Sequence, residues 1–136
     1  MGILKPYLLS EDARSQAEFY TQALGGEIVS VITHEQAMGA QNEFKDKVMH
    51  MCISVAGGNY IFMADAIEPY AHGSGFSLSM AYKTEGEARE AFERLSAGGH
   101  VKYPIEFQPF GLFYGEFLDK YGVSWMITAE PQAAQS

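Results

Sequence analysis

The stretch Phe117-Leu118-Asp119-Lys120-Tyr121-Gly122-Val123-Ser124-Trp125-Met126-Ile127 decides how this chain reads. It alternates like a strand up to Leu118, turns tightly over 119–122, and resumes as a second strand with apolar residues on both faces. A companion stands earlier, at Ser54-Val55-Ala56-Gly57-Gly58-Asn59-Tyr60-Ile61-Phe62-Met63, again strand, glycine turn and apolar strand. Two copies of one hairpin point to a duplicated unit.

Working outward, each hairpin has the same elements before it. In the first half, 3–9 is predicted as a strand. A helix over 11–24 follows, with Ser10 as its cap and an acidic first turn. Ala13, Ala17, Tyr20 and Leu24 make its apolar stripe, widened by Phe19 and Ala23. Gly25-Gly26 ends the helix, and 27–33 and 48–55 alternate as strands before the turn at 56–58 and a strand over 60–64. The second half repeats the order: a strand over 75–82, then a helix with a Thr84/Glu87 capping box and the stripe Ala88, Ala91, Phe92, Leu95. Gly98-Gly99 stops it, and strands over 101–107, 112–118 and 123–128 complete the half. Phe19 and Phe92, Gly25-Gly26 and Gly98-Gly99, and Ile28 and Val101 recur at one constant spacing. Between the strands of the first half, 34–47 is polar and without a period, which predicts a structureless lid or binding loop.

Composition excludes several functions. The 136 residues suffice for one domain with a substantial core, and 47% hydrophobic against 19% charged residues is ordinary globular usage. A net charge of -8 repels phosphate backbones, so nucleic acid is not the expected partner. Cys52 is the single cysteine, which excludes an internal disulfide and a cysteine-rich zinc site. No stretch approaches the ~20 apolar residues that span a bilayer, and no secretory signal is visible, so a cytoplasmic protein without membrane contact is expected.

The chain also resembles a known group. Pro6-Tyr7-Leu8, Phe19-Tyr20 with Gly25-Gly26, Lys45-Asp46-Lys47-Val48-Met49-His50, Leu95-Ser96-Ala97-Gly98-Gly99 and, most specifically, Gly115 to Trp125 resemble the vicinal oxygen chelate superfamily. That superfamily holds glyoxalase I, bleomycin-resistance proteins and extradiol dioxygenases, and the resemblance within it is to the PhnB-like proteins. The resemblance implies an α+β fold: two βαβββ modules, about 1–68 and 74–130 of a single domain over 1–136, forming a curled mixed sheet around a cavity with helices outside. It also implies a homodimer, and in metal-dependent members one divalent ion held by four His or Glu side chains.

Carried onto this chain, those ligand positions are Lys5, Phe62, Ser77 (or its neighbour Ser79) and Met126. An ammonium, a phenyl ring and a thioether offer nothing to a hard divalent ion. No cofactor is therefore expected, and the divalent metal is disfavoured. His34, His50, His72 and His100 show no HExxH spacing. His50 alternates with Cys52 and Ser54 against Met51, Ile53 and Val55, so it is expected on the face away from the helix, where it could act as acid or base. Alternation completes a ligand-binding set: Lys5, Tyr7, His50, Tyr60 and Phe62 from the first half, and Ser77, Ser79, Tyr114, Glu116, Ser124 and Met126 from the second. Aromatic and apolar side chains with a few polar groups are the usual lining of a small-molecule site. The expected function is binding of a small organic ligand without metal. The alternative is a glyoxalase- or dioxygenase-type lyase or oxidoreductase using a non-standard metal site or His50. The methyltransferase label common in this group is not adopted, since no doubly wound pattern or glycine-rich nucleotide loop is present.

Overall fold

The computed structural model describes residues 1–130 and divides into two compact units, Met1–Ala71 and a second beginning at His72. The first contains β1 (Tyr7–Ser10), α1 (Ala13–Leu24), β2 (Gly26–Thr33), α2 (His34–Met38), β3 (Val48–Val55) and β4 (Asn59–Asp65). Its sheet runs β1-β4-β3-β2, with β1 parallel to β4 and the other pairs antiparallel. The second contains β5 (Leu78–Tyr82), α3 (Glu85–Ser96), β6 (His100–Phe107), β7 (Phe113–Leu118) and β8 (Ser124–Ala129), in the order β5-β8-β7-β6. Each unit is thus one βαβββ pattern, and the four expected extended hairpin strands pair as the two glycine turns require.

α1 and α3 each cover one face of their own sheet. In the first unit Ala13, Ala17, Tyr20 and Ala23 are buried, as are Met51, Ile53 and Val55 of β3 and Ile61 and Met63 of β4. In the second, Ala88, Ala91, Phe92 and Leu95 of α3 are buried together with Phe117, Trp125 and Ile127, and the Phe92 and Phe117 rings meet edge to face at 4.9 Å. Strand alternation therefore leaves the opposite face of each sheet open.

The helix register corrects part of the repeat. Asp12, not Ser10, caps α1, accepting from the Ser15 N–H and hydroxyl, so Glu11 and Asp12 precede the helix and its first turn is not acidic. Counting from the caps Asp12 and Thr84, the buried partner of Phe92 is Tyr20 rather than Phe19. Leu24 is half-buried, and Gln16 takes its place in the stripe, buried with its amide donating to the Tyr20 hydroxyl at 2.8 Å. The glycines do match as expected. A Cβ on Gly26 would run into the Ser54 carbonyl oxygen, and one on Gly99 into that of Leu118, so β2 and β6 approach their neighbours where only hydrogen fits. One extra residue between helix and glycine in the second unit reconciles the two spacings.

Four further expectations change. The 34–47 segment is not structureless: Thr33 and Gln36 form a reciprocal capping box that starts α2, and His34 and Glu35 bond back to Lys47 and Lys45. β1 begins at Tyr7, leaving Lys5 before the strand, although Pro6 still accepts from the Phe62 N–H. β5 begins at Leu78, leaving Ser77 outside it. At α3 the Thr84 hydroxyl accepts from the Glu87 N–H, but the Glu87 carboxylate meets that hydroxyl rather than a backbone N–H.

Candidate functional site

On the open face of the first sheet, β1 and β4 place Tyr7 opposite Phe62, and β3 places Cys52 on the other side of Phe62. Lys5 reaches over this row from just before β1. Its ammonium lies 4.9 Å from the Phe62 ring centre and 5.2 Å from that of Tyr60, within cation–π range. His50 packs its ring edge-on to Phe62 at 4.8 Å and tilted to Tyr7 at 5.6 Å. Its Nδ1 is 3.3 Å from the Tyr7 hydroxyl, which donates to the Met49 carbonyl at 3.4 Å. The five residues expected here from alternation, Lys5, Tyr7, His50, Tyr60 and Phe62, form one contiguous cluster, half-buried or exposed. Apolar rings with one ammonium and one imidazole can stack a flat or apolar group and hold an oxygen at its edge.

The second unit carries a different cluster. A row crosses its sheet from Tyr103 on β6 through Glu116 and Met126 to Ser79 on β5, each paired with the next. Glu116 is only 9% exposed. The Tyr114 hydroxyl bonds to it, and Phe110 packs against the Tyr114 ring at 5.9 Å. Ser77 joins from outside the strand, its hydroxyl 2.6 Å from that of Ser124. The expected set from this unit thus falls on or beside one face. Sequence reading missed Tyr103, because β6 shifts register on either side of it and breaks the alternation that would have placed it.

Desolvation, the charge and hydrogen bond of Glu116 and the neighbouring Tyr103 push the Tyr114 phenol from its ordinary value of 10.0 up to about 12. The neutral phenol's contribution to stability is fully present below pH 10 and is lost as pH rises through about 12. Ultraviolet difference titration should show one tyrosine ionising last, and Glu116→Gln should bring that step down towards the ordinary range.

The side chains at the positions that the resemblance assigns to metal ligands are a poor donor set for a hard divalent ion. In the first unit the Lys5 ammonium packs on the Phe62 ring. In the second, Ser77 is bonded to Ser124 and Met126 offers a thioether beside Glu116. Among the described residues no three His, Cys, Asp or Glu side chains converge as a metal would need. A cleft of about 300 Å³ in the first unit lies elsewhere, between Leu9 and the 65–70 segment, and none of the expected site residues lines it. Among the described residues no helix is long and apolar enough to cross a membrane.

Residues 3–128 match the family model described as 3-demethylubiquinone-9 3-methyltransferase. The protein YjdN of Escherichia coli K12 is 30% identical over 142 residues, covering 95% of this chain and 96% of YjdN. A solved PhnB protein from Bacillus cereus is 26% identical with a TM-score of 0.78, covering 95% of this chain and all of that one. A solved glyoxylase/bleomycin resistance protein/dioxygenase domain from Frankia sp. EAN1pec, 15% identical, shares the fold with a TM-score of 0.68 over 97% of this chain and 93% of its own. Two βαβββ units, the matched family model and these relatives agree with the resemblance first visible around Gly115 to Trp125: the chain belongs to the family described as 3-demethylubiquinone-9 3-methyltransferase, whose members are PhnB-like proteins of the vicinal oxygen chelate superfamily with the glyoxalase/bleomycin resistance fold.

Proposed function

We propose that this protein binds a small organic molecule on the open faces of its sheets without the superfamily's divalent ion, as a carrier or sequestering protein. The observation that carries this reading is the Lys5 ammonium packed on Phe62, two positions that the family resemblance would align with anionic or imidazole metal donors. An ammonium there repels a divalent cation, while the rings beneath it suit an apolar or flat ligand. Methyl transfer, which the family description names, is not part of the reading. The glycine pairs that a nucleotide cofactor would require as a cradle are here used to end a helix and to let strands approach.

Elemental analysis of purified protein tests the metal-free part. The reading predicts only trace zinc, nickel, manganese and iron, and one of them at stoichiometric, chelator-resistant occupancy would overturn it.

A second reading, acid–base catalysis, is favoured by the contact of His50 Nδ1 with the Tyr7 hydroxyl on a half-exposed surface. It predicts that His50→Ala lowers any turnover found in a substrate screen by about 10²-fold or more. An unchanged rate would eliminate it.

The protein is further proposed to be a cytoplasmic homodimer. The β2 edge supports self-association: Ile28, Val29 and Ile32 are exposed along it with Glu27 as its one charge. The corresponding edge β6 carries Lys102, Pro104 and Glu106, residues that discourage strand addition.

A further inference from the structure

The two units fill one corresponding position with opposite chemistry. Cys52 pairs with Phe62 on β4 and Ser30 on β2; Glu116 pairs with Met126 on β8 and Tyr103 on β6. These are the same places in two sheets of identical strand order, and both residues are 9% exposed. The fold therefore accepts a small, nearly apolar thiol where the second unit has a carboxylate. A nearly buried carboxylate costs free energy unless it is compensated.

The compensation within the chain is slight. Among the described residues, the Tyr114 hydroxyl is the side-chain partner of Glu116, close enough to raise its own phenol's pKa. Neither the Lys45–Asp46 nor the Arg94–Glu90 ion pair involves Glu116. Lys102 lies over the Tyr103 ring at 5.4 Å and makes no ion pair with Glu116. The contrast with the other buried carboxylate of this unit is direct. Asp119 accepts from two backbone N–H groups and the Trp125 indole, as a structural brace does. Among the described residues, no such backbone bond is made by the Glu116 carboxylate, whose partner is the Tyr114 hydroxyl.

What surrounds it is aromatic. Tyr103 lies across the strand pair, Tyr114 bonds to it from two residues away, and Met126 stands beside it. A carboxylate among π faces is the arrangement that recognises a positively charged nitrogen: charge answers charge and the ring faces replace lost water. We propose that Glu116, flanked by Tyr103 and Tyr114, is the docking point for a cationic nitrogen, a protonated amine or quaternary ammonium, on the ligand. This rests on the reading that the open faces bind small molecules, and it commits the second unit's face to a class of ligand.

Two probes of like shape and opposite charge test it, 2-phenylethylammonium and 3-phenylpropionate, titrated into ¹⁵N-labelled full-length protein. The ammonium should move the Tyr103, Glu116 and Met126 amide resonances saturably, and the carboxylate should not. Glu116→Gln keeps an acceptor for the Tyr114 hydroxyl and so keeps the fold, but should weaken the ammonium about tenfold, the size of one charge-assisted bond. Tyr114→Phe, which leaves the charge, should retain the preference for the ammonium. Equal binding of the two probes, binding of the carboxylate alone, or ammonium binding unchanged in Glu116→Gln would each overturn the proposal. Those results leave small-molecule binding itself standing. Neither probe moving these resonances also overturns the proposal, and a retained organic molecule in native protein then decides the broader reading separately.

Discussion

Asp119→Ala should lower stability by about 3–5 kcal/mol and reduce Tm by roughly 10 °C or more. One oxygen of this carboxylate accepts from Tyr121 N–H at 2.8 Å and Val123 N–H at 3.1 Å, closing the turn between β7 and β8. The other accepts from Trp125 Nε1 at 2.9 Å. Trp125 is 1% exposed and Asp119 3%, so water cannot substitute for the lost acceptor. Stranded buried donors cost about 1–3 kcal/mol each, and the carboxylate's own burial cost offsets part of the sum. Asp119→Asn keeps an acceptor for the backbone donors but can turn its amide onto the indole, so it should lose about half as much. Trp125 is the single tryptophan, so its fluorescence reads this hinge without interference. Wild-type stability in Asp119→Ala, measured by urea unfolding, would show that the turn does not depend on the carboxylate.

The first unit has an analogous brace, and Asp65→Ala should cost about 2–4 kcal/mol. Its two oxygens accept from Ala13 N–H at the start of α1 and from Val48 N–H at the start of β3, both at 2.7 Å. The anion also lies at the helix's positive end, which adds to the attraction. One side chain thus fixes where helix and strand begin. Amide hydrogen exchange should rise first at Ala13 and Val48 in Asp65→Ala. Protection unchanged at both would refute the brace. Glu116→Gln is the contrast: with no backbone group bonded to its carboxylate among the described residues, it should alter stability by less than about 1 kcal/mol.

These braces explain what sequence reading could and could not reach. Strand period and turn glycines are local, so the hairpins and the helix stripe Ala88, Ala91, Phe92, Leu95 were legible in the sequence, whereas the grouping around Phe62 took alternation together with the family resemblance. Asp65 joins residues far apart in the chain, and nothing near it announces that role. The helix start was placed two residues early because Ser10 and Asp12 are both good caps; Ser10 instead accepts from the Asp12 N–H. Gln16 broke the apolar stripe in sequence and was passed over, although its bond to Tyr20 makes it a core residue. α2 is a single capped turn, too short for a hydrophobic period to reveal. In the candidate site, regular alternation on β3, β4 and β7 carried the reading, and the irregular register of β6 hid Tyr103.

The central claim is that this member of a metal-binding superfamily has replaced the ion with a surface for an organic ligand. Native mass spectrometry of protein purified without added metal, before and after exposure to a chelator, tests it most directly. The account predicts an organic adduct of a few hundred daltons on a fraction of the protein, unchanged by the chelator, with Lys5→Glu reducing its occupancy. A mass increment of one metal ion per chain that the chelator removes, with no organic adduct, would contradict it.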